Sequence, residues 1–131
     1  MQNYYQLVKD YLLEINYDIT HESITDNIIM VDKESNGIKN LILGIATPIL
    51  IIEQHIFNIK NQNEEVFKSL LQKNRDIVHG AFVLDETGEK VIFRDTLQIE
   101  NLDLNELEAS LNSLGLLLSE YSDQIINFSK Y

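Results

Sequence analysis

Three histidines, His21, His55 and His79, carry the most obvious chemical potential in this chain. Glu53 and His55 stand two apart in a run that reads as a strand, so their side chains share a face and could begin a metal site. No third ligand follows at a convincing spacing, and a two-residue pair is a weak signal. A serine hydrolase needs a nucleophile, a base and an orienting acid. Here Ser110, Ser113, Ser119 and Ser122 gather in the last segment, and no Gly-x-Ser-x-Gly elbow is present. Asp85, Glu86 and Glu89 surround Gly88 without the spacing of a calcium loop. Glu64–Glu65 and Glu106 with Glu108 read as solvated helix faces. The five glycines are isolated, which excludes a Gly-rich phosphate cradle. With no cysteine, disulfides, thiolate metal sites and a thiol nucleophile are excluded too. The expectation is a chain without catalytic apparatus. Arg94 and Asp95, set in an apolar strand, read either as a polar contact with a partner or dimer seam, or as the outward edge of that strand.

Length and composition fit one domain. A length of 131 residues fits a single core, and 44% hydrophobic content argues against disorder. Ten basic against twenty-one acidic residues leave a formal charge of −11. Such a surface repels phosphate backbones, and no Lys/Arg stripe offsets it, so nucleic acid and anionic membrane are poor partners. The charge is spread along the chain, which suits solubility. The residues from Met1 to Tyr5 show no basic or apolar leader pattern, and the apolar run Leu41–Ile52 is broken by Gly44 and Pro48. A bilayer span needs ~20 apolar residues, so a cytoplasmic protein is expected.

The elements that must position any site follow from periodicity. Tyr4, Leu7, Val8, Tyr11, Leu12 and Ile15 predict a helix over 3–16. The stretch 17–26 is polar and reads as a loop anchored by Ile19 and Ile24. Strands are predicted over 27–33, 38–46 and 49–59, with Asn36-Gly37 as a hairpin turn and Thr47-Pro48 as a break. A helix over 61–76 follows, with Asn61 and Glu64 as a capping box. Strands over 77–84 and 90–97 flank the polar loop 85–89. From Leu104 to Phe128, leucines and aromatics alternate spacings of three and four behind an Asp103–Glu106 capping box. That predicts one long helix, packed on the sheet rather than in a coiled coil. The predicted class is α+β: a mostly antiparallel five-stranded sheet with three helices, in the order α-β-β-β-α-β-β-α.

These strands are apolar on both sides. Ile49 and Ile51 point one way while Leu50, Ile52 and Ile56 point the other. The first and last helices are long enough to cover one face of the sheet. The middle helix is short, so the second face requires a second copy of the chain, a bound partner, or cover from the middle helix and the 17–26 loop. The positions expected to form a partner or dimer surface are Ile49, Ile51 and Phe57 on the third strand, and Phe67 and Leu71 on the middle helix. Phe82 and Leu84 on the fourth strand, with Phe93 and Arg94 on the fifth, complete it.

The element order and three local strings resemble the type III secretion chaperone-like superfamily, which includes Tir chaperones and YbjN-like domains. The strings are Leu70-Leu71-Gln72-Lys73-Asn74, then His79-Gly80-Ala81-Phe82-Val83-Leu84-Asp85, then Val91-Ile92-Phe93. The resemblance spans nearly the whole chain. It implies a homodimer that holds an extended segment of a partner or client protein against apolar patches, with no metal and no organic cofactor. A regulatory domain of the same fold, with one dedicated partner, is the alternative. The Leu41–Phe57 region is more continuously apolar than such a chaperone would lead one to expect.

Overall fold

In the computed structural model, which describes residues 3–61 and 64–130, the first helix begins where its sequence supplies a cap. The Asn3 side chain accepts from the Gln6 N–H at 3.1 Å, satisfying a donor at the start of α1 (Tyr4–Glu14). Tyr5, Val8 and Leu12 form its buried stripe. Six strands follow: β1 (Asp18–Ser23), β2 (Ile28–Lys33), β3 (Ile38–Ala46), β4 (Ile49–Asn58), β5 (Ala81–Leu84) and β6 (Lys90–Gln98). They form one antiparallel sheet in the order β1-β2-β3-β4-β6-β5. Between β4 and β5 lies α2 (Glu64–Asn74), and α3 (Leu104–Glu120) and α4 (Ser122–Lys130) follow the sheet. The class is the α+β expected, with six strands and four α-helices among the described residues where five and three were predicted.

Both extra elements have physical causes. Residues Asp18–Ser23 pair with β2 as an edge strand instead of looping. Only Ile19 among them packs on the core, so no alternating pattern announces the strand. An edge strand needs one hydrogen-bonded neighbour and tolerates polar side chains. The leucine stripe, for its part, bends at Tyr121 (φ −102°, ψ 9°), which ends α3. The spacing continues past the bend, but α4 packs differently, setting Phe128 against Phe57 with ring centroids 6.2 Å apart. Asp103 caps α3 as predicted, accepting from the Glu106 N–H at 2.8 Å. The predicted Asn61–Glu64 box spans residues 62 and 63, which lie outside the described residues.

One face of the sheet is closed. Val8 and Leu12 of α1 and Leu107, Leu111 and Leu114 of α3 are buried in one cluster with Ile29, Val31, Leu41, Leu43, Leu50 and Ile52. Each fully buried aliphatic side chain contributes roughly 1.5–3 kcal/mol, so this layer holds the fold together. The short α2 packs beside β5, at the edge of the sheet. It does not supply a second layer.

Candidate functional site

Residues paired across antiparallel strands share a face. On the side away from the core, one row runs Met30, Ile42, Glu53, Arg94 and Ala81 across β2, β3, β4, β6 and β5. A second runs Ile28, Gly44, Ile51 and Thr96, and a third His55, Ile92 and Val83. None of these residues is buried, and Ile42 is 37% exposed. At the centre of this apolar field the Arg94 guanidinium lies 3.8 Å from the Glu53 carboxylate. Within the 17–26 segment, Asp18–Ser23 extends the sheet as β1 rather than covering that face.

A second apolar surface lies where α2 meets β5. Phe67, Leu70 and Leu71 face Phe82, Val83 and Leu84 across an open groove of about 270 Å³. Leu71 is 70% exposed and Leu84 45%. Asn74 closes part of the adjoining strand edge. Its Oδ1 accepts from the Phe82 N–H at 2.7 Å, and its Nδ2 donates to the Phe82 carbonyl at 3.1 Å. The side chain thus takes the place of a neighbouring strand at that residue. The sequence marks Asn74 only as the end of a family-like string and not for this role, because its partner is backbone and leaves no sequence mark.

The predicted surface residues divide three ways. Ile49, Ile51 and Arg94 lie on the open face, half-buried. Phe67, Leu71 and Leu84 line the groove, with Phe82 as its buried wall. Phe57 and Phe93 belong to neither and are corrected here: both are sealed in the protomer's own core, at 4% and 2% exposure. Strict alternation from Ile51 would put Phe57 on the open face. A bulge between His55 and Phe57 shifts the phase and turns the ring inward against Phe128. Phe93 pairs with Phe82 across β5 and β6, and the two rings meet edge-on with centroids 6.0 Å apart. Gln54, also overlooked, braces the bulge: its Nε2 donates to the carbonyls of Lys39 and His55 at 2.7 and 3.1 Å.

The residues with chemical potential are engaged elsewhere or stand apart. Glu53 and His55 do share the open face, yet Glu53 neighbours Arg94, and a His55 ring nitrogen lies 2.8 Å from Asn58 Oδ1. Among the described residues no group of three or more His, Asp or Glu could hold a metal ion. Arg94 and Asp95 point to opposite faces, and the Asp95 carboxylate accepts from the Ser110 hydroxyl of α3. Among the described residues no helix is long and apolar enough to cross a membrane.

The model of the CesT_Tir_1 family matches residues 1–131. Among solved structures, the HopA1–SchA chaperone–effector complex contains a chain of the same fold. It has a TM-score of 0.62 and 14% identity over 98% of this chain and 94% of that one. A chain of the ExsC–ExsE complex superposes with a TM-score of 0.68 at 18% identity, covering 92% of each chain. YbjN of E. coli gives a TM-score of 0.71 at 9% identity, again over 92% of each. No curated protein matches the sequence.

Proposed function

The chain belongs to the CesT_Tir_1 family, and on that premise we propose a non-catalytic protein-binding module of the cytoplasm. It acts as a homodimer that holds an extended segment of a partner protein against its apolar patches. The observation that carries this reading is the pair of apolar surfaces left uncovered on a −11 chain, the open sheet face and the α2–β5 groove. Monomeric proteins rarely expose contiguous apolar area without using it. The likeness to chains from a chaperone–effector complex supports a protein as the occupant. The groove suits the segment: it is narrow, apolar and beside a strand edge, where side chains of an extended peptide find pockets.

The test places a photo-crosslinker at Leu71 and, separately, at Leu84, identifies what each captures in native extract, and repeats the binding with the purified partner. The expected result is one partner segment, protected from protease when bound, whose affinity falls at least tenfold in Leu71→Asp and Leu84→Asp. A purified protein that binds no polypeptide, or binding untouched by both changes, would remove the reading. A second reading, a regulatory domain with one dedicated folded partner, draws on the likeness to YbjN, described as a candidate transcription regulator. Capture of a single folded protein in place of an extended segment would favour it.

A further inference from the structure

We propose that the cleft between α4 and β4 binds a small, uncharged, apolar molecule whose single N–H or O–H donates to the side-chain oxygen of Gln54. This site is separate from the α2–β5 groove and goes beyond the polypeptide binding proposed there.

The amide of Gln54 sets the chemistry. The side chain is 7% exposed, and its Nε2 spends its hydrogens on the carbonyls of Lys39 and His55. A carbonyl oxygen only accepts, so these two bonds fix which end of the amide is nitrogen. Oε1 is left buried, with no donor from the protein. An unmatched buried acceptor is costly, and a ligand that brings a donor recovers that cost.

The walls set the size and polarity. Gln54 lines a cleft of about 230 Å³ together with Ile56 of β4, Leu118 of α3, and Ile125 and Ile126 of α4. Ile56 is the extra residue of the β4 bulge, without a cross-strand partner on β6. The volume lies below the ~300–1,000 Å³ of sites for drug-sized molecules, so it suits one or two rings and little more. The exposed Lys39 also lines the cleft. A cation would meet Lys39 and an anion would meet Oε1, which leaves a neutral donor. Access comes from α4. None of its residues is buried, and it rests on β4 through contacts such as that of Phe128 with Phe57, so it can open locally without unfolding the sheet. A ligand seated there ties Ile125 and Ile126 to the strand. The α2–β5 groove, by contrast, is lined by apolar side chains alone, so a preference for a donor separates the two sites.

The experiment titrates the full chain with indole, which carries one N–H donor, and with benzofuran, which has an oxygen in its place. Amide NMR shifts and hydrogen exchange of α4 are the readouts. Indole is expected to bind with a Kd of about 1 mM or below, to shift amides of β4 and α4, and to slow α4 exchange several-fold. Benzofuran should bind about tenfold more weakly, since it leaves the Gln54 oxygen unmatched. Gln54→Met removes the acceptor, and the two compounds should then bind alike. That change also removes the bonds that brace the bulge, so a circular dichroism melt checks its folding. If it fails to fold, Ile126→Asp, at an exposed position in the wall, replaces it and should weaken indole about tenfold. Absence of indole binding, equal affinity for the two compounds, or a preference that survives Gln54→Met overturns the site. Indole binding untouched by Ile126→Asp does the same. Shifts confined to α2 and β5 would place indole in the groove and also overturn it. None of these outcomes bears on the crosslinks at Leu71 and Leu84, which test polypeptide binding by themselves.

Discussion

The Tyr5 phenol ties the first helix to the edge strand, and its ionisation should be visible in stability. Its hydroxyl donates to Glu22 at 2.8 Å, and Lys9 Nζ lies 3.1 Å from the same carboxylate. Burial first, then the hydrogen bond to Glu22 and its charge, push Tyr5 up to about 12. The same bond, with help from Lys9, holds Glu22 below the usual carboxylate range. The fold thus prefers the neutral phenol: the stability it gives is complete below the unfolded tyrosine value of ~10 and is lost as pH rises toward the folded one. Glu22 has the opposite sign, contributing above its unfolded value of ~4.3 and losing that contribution as pH falls through its lowered folded value. Urea midpoints between pH ~9 and ~12 should therefore fall more steeply in the wild type than in Tyr5→Phe; parallel curves would refute the linkage. Asn74 offers a second test. Asn74→Ala leaves the Phe82 peptide without either edge partner and should cost roughly 1–3 kcal/mol in urea unfolding. Asn74→Asp keeps the acceptor for the Phe82 N–H and should recover part of that loss, whereas equal effects would mean that the two bonds contribute little.

Elements differ in how firmly they are held, and the last two helices show the contrast. α3 buries Leu107, Leu111, Leu114 and Leu117, while α4 buries no residue and rests on partial contacts from Ile125 and Phe128. Leu111→Ala should cost about 2–5 kcal/mol, and Leu116→Ala, at an exposed position on the same helix, no more than ~0.5 kcal/mol. Amide hydrogen exchange should release α4 well before α3, by local opening; equal protection would show that the two helices unfold as one. The same contrast explains what the sequence made legible. Runs such as Ile28–Val31 and Ile49–Ile52 announced strands because β-branched residues crowd them, and Asp103 marked a helix start by its own chemistry. β1 gave no warning, since an edge strand of polar residues has no apolar period to read. The leucine spacing ran unbroken through Tyr121 because periodicity records which residues face a core, not whether the axis bends. At the candidate site, Ile51 and Leu84 were legible as apolar residues without cover. Phe57 was misplaced by a bulge whose signature is one extra residue in register. The Glu53–Arg94 partnership needed the pairing of β4 with β6, which residues so far apart in sequence do not disclose.

For the whole molecule, the charge of −11 sets two associations against each other, and salt should separate them. The proposed self-association brings two acidic bodies together. The repulsion between those bodies acts over long distances through water, where screening is effective: the Debye length shrinks from ~10 Å at 0.1 M to ~3 Å at 1 M. Contacts inside any seam lie within a few ångströms and are partly desolvated, so ions screen them much less. Added salt therefore removes more repulsion than attraction. The dimer should tighten several-fold between ~0.05 and ~0.5 M sodium chloride, read by sedimentation equilibrium. Binding of a basic partner segment should move the other way, because screening removes the attraction that draws it to the acidic surface. A dimer that loosens with salt would mean that acidic groups of one copy contact the other's cations directly, so that the self-association rests on charge rather than on an apolar seam.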